Sequence, residues 1–221
     1  MTYSDISVFK WQQLTSLFTN KKEKTDIDLS VEALAICKGI TEAQVDSMTQ
    51  KEFSNELSKI TFLHEQLNPK AQRFIKVNGR RYRCVYDVRN IRAARYIESK
   101  YFGTDVTNNL HKIAACLVIP QKKVLGIWKD DEYNALKHDE YSQDMLEAPI
   151  TAVLGSVVFF YHVYRDWMTS SKDYLTKEMG IAMKMEEAEL VYQTLCEILD
   201  GFTKHNFVQS MNVSHSQVSM N

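Results

Sequence analysis

The dipeptide Asn78-Gly79 is the sequence feature that most constrains the fold of this chain. Both residues readily adopt the positive φ angles that a type I′ turn between two antiparallel strands requires. Apolar and polar residues alternate on either side of it, with Ile75 before the turn and Tyr82 and Cys84 after it. This pattern predicts a two-stranded hairpin over 73–86, with one face packed and the other basic.

Helix is the better prediction for the rest of the chain. Seven glycines and three prolines among 221 residues leave few of the residues that an all-β fold needs in tight turns. Capping-box sequences begin at Thr41 and Thr49, and the apolar residues of 110–118 recur with helical spacing. The predicted fold class is therefore α+β, mainly α-helical with one central antiparallel β-hairpin.

Caps, spacing and helix-breaking residues set the expected boundaries. We expect helices over 7–19, from Asp28 to Gly39, from Thr49 to Asn68-Pro69, over 87–101, through 110–118 to Pro120, over 148–173 and over 182–200. Segment 121–135 is either a second short hairpin or an extended arm. The predicted division is 1–24 as an N-terminal helix and linker, 25–202 as the main helical domain with the hairpin, and 203–221 as a polar tail. The expected core includes Leu57, Ile60, Ile75, Val77, Ile113, Leu117 and Val158.

An uncharged run lies between Glu147 and Arg165. It is at the short limit for a membrane span and contains Pro149, Gly155 and Ser156, so we expect a buried core helix and no membrane contact. The cysteines are scattered and form no C-x-x-C pair, and the N-terminus lacks a signal-peptide pattern. The sequence thus favours folding in a reducing cytoplasm.

The chain lacks the sequence patterns of common active sites. It has no G-x-S-x-G, phosphate-loop or G-x-G-x-x-G pattern, and its histidines never fall into H-x-x-x-H. His138 lies in an acidic stretch that we expect to be exposed. We therefore predict no enzyme activity, no catalytic or cofactor-binding residues, no metal ligands and no cofactor.

Charge is unevenly distributed along the chain. Segment 70–95 carries nine Lys or Arg against the single acid Asp87, whereas 129–147 carries seven acids against Lys129 and Lys137. Arg81 and Arg83 share a predicted strand face, and three further arginines recur at every third residue of the predicted helix after it. The candidate interaction residues are Arg81, Arg83, Arg89, Arg92, Arg95, Asp130, Asp131 and Glu132.

Three interpretations of the basic segment remain open. Its arginines would suit phosphate groups, with tyrosines adding base stacking, although the pI near 6.6 is low for a nucleic-acid-binding domain. They would also suit the acidic segment of a neighbouring subunit, where complementary charge sets the register. The third interpretation is a solvated basic face.

Several short segments carry a resemblance to a known family. They are 36–45 followed by 51–53, then the hairpin leading into 87–89 and 96–98, and finally 110–120, the closest stretch. Their order over roughly 28–165 resembles that of tail-region proteins of phages infecting Bacteroidetes, including the crAss-like phages, often labelled tail assembly chaperones. The chain departs from the pattern at Thr49 and Lys51, where proline is frequent in the family, and in its polar tail.

The resemblance implies non-enzymatic work in virion morphogenesis. The expected role is a structural subunit of the phage tail or neck, with a ring as one arrangement. The subunit would form homo-oligomers and bind other tail or neck proteins. Such a subunit would occur in the host cytoplasm during assembly and later in the virion. The first alternative is a transient assembly chaperone that leaves the virion, and the second is a nucleic-acid-binding regulator.

Overall fold

The computed structural model describes residues 1–20, 24–91, 93–131, 134–179 and 185–199. Over these residues the chain forms two compact units, Met1–Leu67 and Asn68–Leu199. The fold is α+β and mainly helical, as predicted. The predicted division into 1–24, 25–202 and 203–221 stays a prediction, and its linker and polar tail lie largely outside the described residues.

The first unit is a set of short helices that begin at capping residues. They are α1 (Val8–Thr19), α2 (Asp26–Lys38), α3 (Glu42–Asp46) and α4 (Gln50–Ser58), with 3₁₀ turns at Tyr3–Asp5 and Thr61–His64. Both predicted capping boxes are present, and Thr25 forms another with Asp28. Helix α2 ends at Gly39, whose φ of 68° is the left-handed conformation expected of a glycine cap.

The predicted helix from Thr49 to Asn68-Pro69 is too long, because α4 ends at Ser58 and a 3₁₀ turn follows. The carbonyl of Leu63 accepts a hydrogen bond from the Tyr3 hydroxyl at 2.9 Å, so a tertiary bond replaces a helical one. The tighter turn still buries Ile60 and Leu63. Tertiary contacts therefore override the helical spacing here.

The second unit combines a sheet with helices. Its strands are β1 (Phe74–Val77), β2 (Arg80–Cys84), β3 (Val118–Val124) and β4 (Ile127–Asp130), antiparallel and in the order β1-β2-β3-β4. Its helices are α5 (Ala93–Phe102), α6 (Val106–Cys116), α7 (His138–Glu147), α8 (Ile150–Met179) and α9 (Met185–Leu199). Short 3₁₀ turns lie at Val88–Asn90, Gly103–Asp105 and Ala135–Lys137.

The predicted hairpin is confirmed, and it is one half of the sheet. Asn78 and Gly79 have φ angles of 50° and 72°, and Ile75 pairs with Tyr82. Strands β3 and β4 form the second hairpin, whose turn residues Leu125 and Gly126 have φ angles of 50° and 84°. Of the two predictions for 121–135, the hairpin is therefore correct.

Two predicted helices around the sheet have wrong boundaries. Helix α6 ends at Cys116, and Pro120 lies inside β3, because a residue that precedes a proline is pushed toward an extended conformation. The predicted helix over 87–101 is a 3₁₀ turn at Val88–Asn90 followed by α5. The acidic segment is also misjudged at His138, which is buried at the start of α7.

Helix α8 contains the uncharged run and packs as a core helix. Val153, Leu154, Val157 and Phe160 are buried along it. Across the described residues, none of the helices combines the length and the apolar character that crossing a bilayer requires.

The predicted core is largely confirmed. Leu57, Ile60, Ile75, Ile113 and Leu117 are buried. Val77 and Val158 are only half-buried, which corrects the prediction for those two residues. Two neighbouring residues are buried although they were not in the predicted core. Tyr82 pairs with Ile75 on the next strand, and Val157 precedes Val158 on α8.

Candidate interaction surface

The sheet has one buried face and one exposed face. Ile75, Tyr82, Cys84 and Val118 are buried on the first. Side chains alternate along each strand, so the cross-strand register defines the second, which we call the outer sheet face. It consists of Phe74, Lys76, Arg81, Arg83, Ile119, Gln121, Lys123, Trp128 and Asp130.

Arg81 lies between two aromatic rings on the outer sheet face. Its guanidinium carbon is 3.7 Å from the centroid of Phe74 and 5.4 Å from that of Trp128. A cation over an aromatic face is attracted by the ring quadrupole, whose face carries partial negative charge. This contact connects the first strand to the last and leaves the Arg81 side chain half-buried.

Arg83 and Asp130 form a bidentate ion pair across the same face. The Arg83 Nη2 atom is 2.7 Å from Asp130 Oδ2, and its Nε atom donates to the same oxygen at 2.9 Å. Gln121 also donates to this carboxylate at 2.8 Å. The guanidinium lowers the pKa of Asp130, and the carboxylate raises the pKa of Arg83.

The other acids near the sheet also pair within the chain. Arg80 contacts Glu140 at 2.6 Å and Asp144 at 3.1 Å, and Lys122 contacts Asp131 at 2.8 Å. The basic and acidic segments therefore meet in one molecule. Pairing with the acidic segment of a neighbouring subunit was one of three interpretations of the basic segment, and these contacts are an intrachain use of the same complementarity.

The predicted stripe of arginines does not form. Arg89 lies in the 3₁₀ turn before α5, so it is not on the same helix as Arg95. Arg95 is only 3% exposed, and its guanidinium donates to the carbonyl of Val118 at 3.1 Å. Arg95 is therefore the hydrogen-bond donor to the Val118 carbonyl in the interior. The helical spacing of the arginines does not reveal this role. Arg92 and Glu132 lie outside the described residues.

An apolar tip at the β3–β4 hairpin was missed by the sequence analysis. Leu125 is 97% exposed, Ile127 is 64% exposed and Trp128 is 38% exposed. We call these three residues the hairpin tip. They adjoin the edge of the sheet, because β4 is the last strand in the order that the described residues form. The signal in the sequence was the apolar segment 124–128 around Gly126, but a sequence does not show that these side chains stay exposed on both sides of the turn.

Cys37, Cys84 and Cys116 are buried, which makes them poor nucleophiles. Burial raises the pKa of the Cys37 thiol to about 12 and also raises the pKa values of Cys84 and Cys116. A thiol attacks as its thiolate, so the raised pKa disfavours attack by these side chains. Burial also lowers the pKa of His138.

Comparisons of the chain with protein-family models, with curated protein sequences and with solved structures found no match.

Proposed function

We propose that this chain is a non-enzymatic assembly subunit that acts through protein–protein contacts, with the hairpin tip and strand β4 as its contact surface. The observation that carries the proposal is the exposure of Leu125 and Ile127 beside an edge strand. Full burial of such a side chain contributes about 1.5–3 kcal/mol. The edge adds backbone N–H and C=O groups that a partner strand can pair with.

The chemistry of the surface indicates what it would bind. Lys122 and Lys129 are directly opposite each other in the β3–β4 pair, and both are exposed. Like charges in this position repel, and among the described residues Lys122 is compensated by Asp131 at 2.8 Å. A partner segment that offers apolar side chains and carboxylates would therefore be favoured.

The resemblance to phage tail-region proteins supports the setting. The resemblance implies non-enzymatic work in virion morphogenesis, and we propose a permanent subunit of the tail or neck, in contact with copies of itself and with other tail or neck proteins. The alternative of a transient assembly chaperone uses the same kind of surface and differs in whether the chain stays in the particle. Arg83 and Asp130 pair within the chain, so their replacement would also disturb the sheet. Replacement of the hairpin-tip residues tests the contact surface without breaking that ion pair.

The test is quantitative mass spectrometry of purified particles and of lysate from the infected host. Many copies per particle are expected for a structural subunit, whereas abundance in lysate with absence from particles would identify a chaperone. The same measurement on a Leu125→Asn/Ile127→Thr variant should show fewer copies incorporated. Asn suits the positive φ of position 125 and threonine suits a strand, so this variant keeps the hairpin while it removes the apolar surface.

The matched control is Leu136→Asn. Leu136 is 94% exposed in the 3₁₀ turn at Ala135–Lys137, away from the hairpin tip, so its replacement should leave incorporation unchanged. Normal incorporation of the double variant would contradict the assigned surface. Absence of the chain from both particles and assembly intermediates would contradict the function.

A second candidate function is nucleic-acid binding on the outer sheet face. The observation in its favour is the combination of two aromatic rings, Phe74 and Trp128, with the exposed cations Lys76 and Lys123. Stacking platforms beside basic side chains are typical of single-strand binding. Fluorescence anisotropy with a single-stranded oligonucleotide should then show binding that weakens with salt and with Lys76→Glu/Lys123→Glu. No binding at low salt would exclude this candidate.

A further inference from the structure

Three side chains of metal-ligating type meet between three helices of the second unit. Glu98 lies on α5, Cys116 is the last residue of α6 and His138 is the first residue of α7. One ligand atom from each lies within 4.8 Å of the other two. A Glu98 carboxylate oxygen is 3.8 Å from His138 Nδ1 and 3.9 Å from Cys116 Sγ. This group is the only one of its kind among the described residues.

The separations are close to those that a bound ion imposes. Ligand atoms at tetrahedral bond lengths from zinc lie roughly 3.3–3.8 Å apart. The two Glu98 distances would shorten by a few tenths of an ångström and the Cys116–His138 separation by up to about 1 Å. The donor set also fits, because thiolate, imidazole and carboxylate together select zinc-like transition metals over calcium or magnesium. A thiolate and a carboxylate would neutralise a divalent ion in this largely buried place.

Neighbouring side chains position the three ligands, and solvent reaches the cluster at Glu98. Cys116 and His138 are buried, whereas Glu98 is half-buried and reaches solvent. The Phe102 ring stacks on the His138 imidazole, with centroids 5.3 Å apart and planes within 11° of parallel. This stacking restricts rotation of the imidazole, as the supporting residues of metal sites do. Because Glu98 reaches solvent, water would be the fourth ligand of a bound ion.

We propose that Glu98, Cys116 and His138 bind one divalent transition-metal ion of the zinc type, which ties α5, α6 and α7 together. The competing explanation is a purely structural group, in which the Cys116 thiol donates to the Glu98 carboxylate and the His138 imidazole lies 3.8 Å from the same carboxylate. The two explanations differ in whether a metal displaces the thiol proton. They also differ in whether the chain gains thermal stability from the metal.

The experiment is a Co²⁺ titration of the full chain after chelator treatment, followed by competition with Zn²⁺. Site occupation predicts one equivalent of Co²⁺ per chain, with visible ligand-field bands and a near-ultraviolet thiolate-to-cobalt charge-transfer band that Zn²⁺ removes. Saturating Zn²⁺ should also raise the Tm by on the order of 5–10 °C. A wild-type chain without the charge-transfer band would overturn the proposal.

Variants assign the band to the cluster. Cys116→Ser should abolish the charge-transfer band, and Glu98→Gln or His138→Gln should weaken Co²⁺ affinity by more than roughly 100-fold. Cys84→Ser is the matched control, because Cys84 is a buried cysteine of the same unit that lies outside the cluster. A band that survives Cys116→Ser would place the metal elsewhere and reject the site.

X-ray absorption of the zinc-loaded wild type keeps the test decisive if a cluster variant fails to fold. One sulfur among nitrogen and oxygen ligands is the expected first shell, since Cys116 is the only cysteine of the cluster. A shell with no sulfur, or with two or more, would reject the proposal.

Discussion

Gly155 on α8 lies against the backbone of Lys70, so close that a Cβ at position 155 would be 2.5 Å from the Lys70 carbonyl oxygen. The next residue, Ser156, continues the contact, because its hydroxyl accepts a hydrogen bond from the Gln72 N–H at 3.4 Å. The same hydroxyl is 3.5 Å from the Cys84 thiol on β2. Two small residues in the uncharged run therefore let α8 approach the segment that enters the sheet.

Replacing Gly155 by alanine should destabilise the second unit. Alanine is the better helix former by about 1 kcal/mol, but a methyl group against a backbone carbonyl forces a shift of the helix or the strand entry. We expect a net loss of about 2 kcal/mol in the free energy of unfolding, measured by urea denaturation. Thr169→Ala on the exposed part of α8 is the control and should change it by less than about 0.5 kcal/mol. Equal stability of the two variants would show that the close approach is easily relieved.

Asp144 should be the most sensitive charged residue of the second unit. Its buried carboxylate accepts hydrogen bonds from the Tyr82 hydroxyl, from Asn78 at 2.9 Å and from Arg80 at 3.1 Å, so it holds the first hairpin against α7. Asp144→Ala leaves the buried Tyr82 hydroxyl without its acceptor, while the exposed Arg80 keeps Glu140, so the variant should cost about 2 kcal/mol. Tyr82→Phe removes one bond and should cost about 1 kcal/mol.

The exposed Asp139 on the same helix provides the control for Asp144. Asp139→Ala should shift the urea midpoint only slightly, since it loses a favourable helix-dipole interaction and no hydrogen bond to the hairpin. Similar midpoints for Asp144→Ala and Asp139→Ala would refute the role assigned to the carboxylate.

Features set by neighbouring residues could be predicted from the sequence, and those set by distant residues could not. Asn78-Gly79 and Gly39 act through their own backbone preferences, so the hairpin and the end of α2 were correctly predicted. The burial of Arg95 depends on a carbonyl at position 118, and the end of α4 depends on a hydroxyl at position 3. Neither partner is near in sequence.

The same distinction explains what was missed at the candidate sites. Glu98, Cys116 and His138 are far apart in the chain, and ligand-spacing patterns detect only neighbours along one element. The hairpin tip was missed because the sequence shows that Leu125 and Ile127 are apolar but not that they remain exposed. Net segment charge also misled, since Arg83 and Asp130 neutralise each other across the sheet.

The capping box at Thr41 gives a local prediction for the first unit. The Thr41 hydroxyl accepts a hydrogen bond from the Gln44 N–H at 3.3 Å, and the Gln44 side chain accepts one from the Thr41 N–H at 2.9 Å. Thr41→Ala should lower the stability of α3 by about 1 kcal/mol. Thr41→Ser keeps the hydroxyl, so its stability should differ from that of the wild type by no more than about 0.3 kcal/mol. Hydrogen exchange of peptides that cover α3 measures both, and equal protection in the two variants would argue against a capping contribution.

The stability of the first unit should depend on pH through His64. Burial lowers the pKa of His64 in the folded state, because it removes the imidazolium from water. Below the unfolded-state pKa of about 6.5, the unfolded chain therefore binds more protons at this residue than the folded chain does. The contribution is fully present above that pKa and is lost as the pH falls toward the lower folded pKa. His64→Gln should flatten this dependence, measured as the difference in urea midpoint between pH 7 and pH 5, and an unchanged difference would mean that His64 is not the titrating group.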